Sequence, residues 1–214
     1  KFALERIHDL LYGVVLRGAT PPMPVRLRPI SAGVFFEADD FSIQAFPVQH
    51  RGADCLGFAF EEKGHRPFLP EQAEALGIPQ GPLRRDLVAG LPVTLVDGRI
   101  IQPDQVLGDY KPGTRLVYIG DTGEVDSLVE VCQGADGLVC EATYLDAEAD
   151  MAKQFAHLTA RQAADLAKRA GVQKLILTHI SRRYREKEVI AEAQAIFPGA
   201  IVARDFDTFQ VKRD

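Results

Sequence analysis

Four apolar runs in this 214-residue chain each stop, within a residue or two, at a group able to bind a metal ion or move a proton. SIQAFPVQ ends at His50, RLVYIG at Asp121, LVC at Glu141 and KLILT at His179. His157, two positions before Thr159, is a fifth candidate. Imidazole plus carboxylate is the ligand set of zinc and similar divalent cations, and open α/β sheets gather functional groups at the carboxyl ends of their strands. Each residue also has a plainer reading. A single His at a strand end is more often structural than a ligand. Asp121, in Gly-Asp-Thr, suits the cap of a helix starting near Glu124. Glu141 suits a solvated loop acid, His179 a cap on its own loop, and His157 a replaceable helix-start residue. Four such endings in a chain with five histidines nevertheless favour one shared site. A two-metal hydrolase needs a carboxylate between its ions and about three further groups on each. His50, Asp121 and His179 are too few for that, so further ligands are expected elsewhere. The remaining histidines, His8 and His65, are expected in solvent.

These groups need elements to hold them. In residues 1–16, Phe2, Leu4, Ile7, Leu10, Leu11 and Val14 recur at helical spacing. After the loop TPPMP (20–24), the runs VRLRPI (25–30) and GVFFEADDFSIQAFPVQ (33–49) read as strands, with a turn at Asp39-Asp40. GFAFEE (57–62) alternates as another. Residues 63–92 carry several prolines around one short helix and a poor core stripe, which predicts an arm projecting from the body. A tight hairpin follows: VTLV, Asp97-Gly98, RII. From residue 114 strands and helices alternate. Strands are expected at 115–120, 137–140, 174–178, 201–204 and 208–212, and helices at 124–132, near 146–156, at 160–170 and at 186–197. Thr159 and Gln162 stand at capping-box spacing. Sheet first and alternating β and α later predict an α/β (α+β) sandwich, residues 1–214 forming a single domain.

Composition sets limits on function. The chain is 46% hydrophobic and 26% charged, which suits an ordinary globular domain. No apolar run reaches the ~18 residues of a membrane span, and no signal peptide opens the chain. Cys55, Cys132 and Cys140 form no CxxC pair, so they read as reduced thiols in a cytoplasmic protein. The net charge of −5 counts mildly against a nucleic-acid partner. Arg182, Arg183, Arg185 and Lys187 form a local basic cluster all the same. Lys1 and the mid-helical character of KFALERIHDLLYGVVL predict that the chain lies inside a longer gene product.

In this order, PVQHRGADCLGFAFEEK, LGIPQGPLRRDLVAG, VTLVDGRII, YIGDT, EATY, HLTARQAA and LTHISRRY resemble ribonuclease Z, within the metallo-β-lactamase superfamily. The resemblance runs along essentially the whole chain. It implies a metallo-β-lactamase fold, a four-layer αββα sandwich with an incomplete N-terminal half. The implied activity is zinc-dependent endoribonuclease removal of the 3′ trailer of precursor tRNA. It further implies two zinc ions per complete subunit (or Mn2+ or other divalent ions), a homodimer and a cytoplasmic location. By the same resemblance His50 and His179 are ligands of separate metals and Asp121 is the bridging carboxylate. His157 is a non-ligand acid that protonates the leaving ribose oxygen, with Glu141 a candidate to support it. Gly81, Pro82, Arg84 and Arg85 fall in the Gly-Pro motif of the arm that grips tRNA, and Arg182 and Arg183 stand where phosphates are contacted. The family's His-x-His-x-Asp-His loop has no counterpart in these residues. Cys140 stands where the family often has His before the Glu of EATY, and the arm's charges nearly cancel. Two other readings stay open: a fold-mate that hydrolyses a small phosphodiester, sulfate or thioester, and a half that is inert without its missing segment.

Overall fold

In a computed structural model, residues 2–52 and 54–213 are described. The sequence opens with α1 (Phe2–His8), which continues as a π-helical stretch over Asp9–Val15. There Leu16 N–H reaches back five residues to the Leu11 carbonyl. The expected helix is present, but it buries none of its π-helical residues, and Ile7, Leu10, Val14 and Val15 stand exposed.

β1 (Gly33–Glu37), β2 (Phe41–Pro47) and β3 (Leu56–Glu62) form an antiparallel meander, and the Asp39-Asp40 turn lies where the sequence places it. VRLRPI is not a strand: no neighbouring strand pairs with it among the described residues, and its backbone stays irregular. The chain leaves the sheet after β3 and returns near residue 114. At the base of this excursion His65 and Lys111 exchange backbone bonds, and Glu62 N–H donates to the Thr114 carbonyl. The excursion holds two short helices, α2 (Pro70–Ala75) and α3 (Pro82–Val88), each with Pro in its first turn where no N–H is needed. It also holds the expected hairpin, β4 (Val93–Thr94) and β5 (Ile100–Ile101), with Gly98 supplying a positive φ. Ala73, Ile78, Leu87, Val93, Leu95, Ile101 and Val106 form a small core of their own there. Residues beyond 92 therefore share the arm's core.

β6 (Arg115–Ile119) pairs antiparallel with β3, and β7 (Gly137–Glu141), β8 (Leu175–Thr178) and β9 (Ile201–Val202) add in parallel. The sheet order is β1-β2-β3-β6-β7-β8-β9. Parallel neighbours require crossovers. These contain α4 (Val129–Cys132), α5 (Ala149–Phe155), α6 (Ala160–Arg169) and α7 (Glu186–Gln194). The capping box at Thr159 and Gln162 forms as expected. The helix expected at 124–132 is split into a 3-10 turn (Asp126–Leu128) and α4.

One sheet face packs on the helices. Val117, Ile119, Leu138, Cys140, Leu175 and Leu177 meet Ala163, Ala164, Leu166, Ala167 and Val189 in a single cluster. Alanines at the contact let α6 approach the strands closely. On the opposite face Phe58, Tyr118, Val139, Ile176 and Ile201 line up in register across five strands, with Tyr118 44% exposed. Residues 208–212, expected as a strand, run without a ladder partner among the described residues. Lys174 donates to the Gln210 carbonyl, and Arg213 pairs with the buried Asp136.

Candidate metal centre

β6, β7 and β8 are parallel and in register, so their carboxyl ends deliver Asp121, Glu141 and His179 to one edge. His50, just past β2, reaches the same edge. The Asp121 carboxylate lies between two imidazoles: Oδ2 is 3.8 Å from His50 Nε2 and Oδ1 is 3.5 Å from His179 Nε2. Two ligands of one tetrahedral ion at about 2.1 Å would stand roughly 3.4 Å apart, so both separations suit a shared cation.

The orientation of His50 supports that fit. Its Nδ1 lies 2.8 Å from the Ala156 carbonyl, which can only accept, so Nδ1 carries the hydrogen and Nε2 presents its lone pair to Asp121. Ala156 is in the left-handed conformation (φ +56°) at the end of α5, and this turn aims the carbonyl. Gly123 makes room for it, because a Cβ there would fall 2.8 Å from Ala156 Cα. His179 is also left-handed (φ +54°), which breaks the strand and swings its half-exposed ring over Asp121.

His157 lies between the other two rings, with centroids 4.9 Å from His50 and 5.3 Å from His179. Its Nδ1 is 3.0 Å from Glu141 Oε1. Glu141 is wholly buried rather than solvated. Oε1 also accepts from Thr122 N–H at 2.8 Å, while Oε2 accepts from the Thr143 hydroxyl at 2.6 Å and Thr143 N–H at 3.3 Å. Such a carboxylate holds one tautomer of the imidazole and leaves Nε2 facing the centre. Donor atoms of His50, Asp121 and His157 all lie within 4.8 Å of one another. Proximity therefore brings His157, and not His179, into the tightest trio. Since the His157 Nδ1 bond goes to Glu141, only Nε2 remains for a ligand or acid role.

Thr143, Gly123 and Ala156 hold the candidate residues in place, and the residue pattern did not expose them. None is a residue type that signals chemistry, although Thr143 and Gly123 sit two positions from candidates. Among the proposed RNA contacts, Gly81 (φ +121°) and Pro82 begin α3. Arg84 is committed within the arm, donating twice to the Ile78 carbonyl, and Arg183 leans on Glu148. Arg85 and Arg182 are exposed. His8 and His65 are exposed, as expected.

A central α/β sheet with helices on one face and a His/Asp cluster at its carboxyl edge defines a metallo-β-lactamase-type fold. A family model described as the β-lactamase superfamily domain matches residues 106–180. The chain is 45% identical over 186 residues to a ribonuclease Z of Bradyrhizobium diazoefficiens, covering 87% of this chain and 62% of that relative. It is 39% identical over 208 residues to a ribonuclease Z of Methanothermobacter thermautotrophicus, covering 96% of this chain and 67% of the relative. A solved structure described as a diphosphatase from the PhnP family superposes with a TM-score of 0.50 at 13% identity, over 94% of this chain and 52% of that one, and shares the fold alone. The chain belongs to the ribonuclease Z family. It spans from 62% to 67% of the length of these relatives.

Proposed function

We propose that this chain contributes half of the metal centre, and the leaving-group acid, of an endoribonuclease that removes the 3′ trailer of precursor tRNA. The observation that carries the reading is the Asp121 carboxylate standing between His50 Nε2 and His179 Nε2. In that reading His50, His179 and Asp121 would hold the two divalent ions, zinc or Mn2+, together with the ligands supplied from elsewhere. Bound divalent ions would lower the pKa of a water toward ~7 and offset charge on the entering and leaving oxygens.

The chain's own residues do the rest. Ala156 keeps the His50 lone pair aimed at the centre. Glu141 keeps the His157 Nδ1–H in place, so a proton carried on Nε2 can pass to the departing 3′ oxygen. The arm supplies substrate positioning through Gly81, Pro82 and the exposed Arg85, with Arg84 shaping that turn from its bonds to the Ile78 carbonyl, and Arg182 and Arg183 line the approach beyond His179. The remaining ligands belong to the family's His-x-His-x-Asp-His loop, outside these 214 residues. As in the family, the working form is a homodimer in the cytoplasm.

A fold-mate acting on a small diester would share the centre but have no use for an arm with its own core. The test is the complete polypeptide carrying this chain, assayed for bound metal and for cleavage of a 3′-extended tRNA. His50→Ala and His179→Ala should each lower metal content and turnover. A protein that holds its metal but leaves 3′-extended tRNA uncut would overturn the assignment.

A further inference from the structure

Beside His50 lies a recess of about 330 Å3, bounded by His50 itself, Arg51, Gly52, Gly123 and Lys153. Two cations border it, and no carboxylate lines it. Several exposed cations elsewhere on this acidic chain meet acids, among them Arg161 with Asp146, Arg169 with Asp126, Arg183 with Glu148 and Arg204 with Glu186. Among the described residues the Lys153 ammonium has no ion-pair or hydrogen-bond partner.

Arg51 is anchored by neutral groups instead. Its Nε donates to the Phe155 carbonyl at 3.0 Å, and its guanidinium carbon lies 4.9 Å from the Phe155 ring centroid. The anchoring orders the side chain in advance and leaves the terminal nitrogens free for an anion. Gly52 has open space where a Cβ would stand, so a ligand can approach the backbone there. The anchors are adjacent: Arg51 is held by the Phe155 carbonyl and His50 by the Ala156 carbonyl. One peptide unit therefore fixes the distance between the cationic recess and the candidate metal centre.

We propose that this recess binds a backbone phosphate of the RNA strand next to the phosphate being cut, held by the Arg51 fork and the Lys153 charge. The proposal rests on reading the chain as part of an RNA phosphodiesterase. It makes Arg51 and Lys153 positioning residues that set which phosphodiester lies over Asp121.

The test uses the complete polypeptide, stripped of metal so that cleavage is silent, and a fluorescently labelled single-stranded oligoribonucleotide titrated by anisotropy at several salt concentrations. Arg51→Gln and Lys153→Gln should each weaken binding about tenfold at low salt. The slope of log affinity against log salt should become shallower by roughly 0.7 for a lost phosphate contact. Lys168→Gln, on the exposed side of α6, should leave both unchanged, which separates a local site from general charge loss. Among the described residues the Lys153 ammonium holds no partner, so its variant remains decisive if Arg51→Gln disturbs the turn. Inorganic phosphate should compete with the RNA in the unsubstituted protein and lose that effect in the Arg51/Lys153 double variant. Variants that bind RNA like the unsubstituted protein would overturn the proposal, and so would phosphate binding that depends on these residues while RNA binding does not. Failure of the endonuclease reading looks different: RNA binding keeps its dependence on Arg51, but the metal-loaded protein cuts no 3′-extended tRNA.

Discussion

Glu141→Gln removes a charge from the centre while keeping its shape. The carboxylate has no exposed surface, and its Oε1 is 3.0 Å from His157 Nδ1. The new amide has one favoured orientation. Its oxygen must take the Oε1 place, because Thr122 N–H and the imidazole N–H both donate there. Its NH2 then faces the Thr143 hydroxyl, which can reverse and give its proton to the His179 carbonyl 3.0 Å away. Only Thr143 N–H, in the long 3.3 Å bond, is left against a donor. The stability loss should therefore stay within about 1–3 kcal/mol. The tautomer of His157 is preserved, but the imidazolium loses its counter-charge. With charge centres about 4 Å apart and an effective dielectric near 20, that interaction is worth up to roughly 4 kcal/mol. A general acid deprived of the carboxylate that supports it should lose about 10²–10³ in turnover. The assay is single-turnover cleavage of 3′-extended tRNA by the complete polypeptide, with urea unfolding and metal analysis in parallel. On a p-nitrophenyl phosphodiester, whose leaving group needs no proton, the defect should shrink. Undiminished tRNA turnover would refute the reasoning, and an equal defect on both substrates together with lost metal would make His157 a ligand.

Gly123→Ala should cost about ten- to a hundredfold in turnover, since the added Cβ must push the Ala156 turn that aims His50. Metal content measured alongside should fall as well. Burial pushes the Cys132 thiol up to about 12 and holds Cys140 well above the usual range. A thiol reagent at pH 8 meets only about one thiolate in ten thousand at Cys132, so the native chain should report Cys55 alone and the unfolded chain all three. These raised values also mean that the unfolded state loses thiol protons first, so stability should decline as pH climbs from about 9 toward 12. Replacing residues 64–112 by a short linker should spare the body's urea midpoint and abolish tight tRNA binding. Excising 63–92 alone should cause aggregation, because it strands Val93, Leu95, Ile101 and Val106 without their core.

The parallel half of the fold was legible because each strand is a short apolar run ended by a polar residue, as in RLVYIG-Asp121 and KLILT-His179. The Thr159–Gln162 box was legible because capping is local chemistry. VRLRPI and residues 208–212 have strand-like composition, but a strand needs a partner, which no local pattern reports. The arm's core leaves no local pattern because Ala73, Leu87 and Val106 are far apart in sequence and meet only after the hairpin folds. At the centre, the chemistry-bearing side chains could be named from residue type and strand-end position. What fixes their orientation is a carbonyl at Ala156, a missing Cβ at Gly123 and a hydroxyl at Thr143, and such groups carry no signature by type.

The in-register ends of β6, β7 and β8 have a bearing on which mutations this gene can tolerate. Side chains alternate between sheet faces with a period of two, so a one-codon deletion inside 137–140 would turn Glu141 onto the opposite face and leave His157 unsupported. The same holds for 115–119 and Asp121. Substitutions along these strands can be absorbed one at a time, and length changes cannot. Variation in chain length among descendants of this sequence should therefore collect in the turns and the arm, with the spacing from each strand to its terminal site residue held constant.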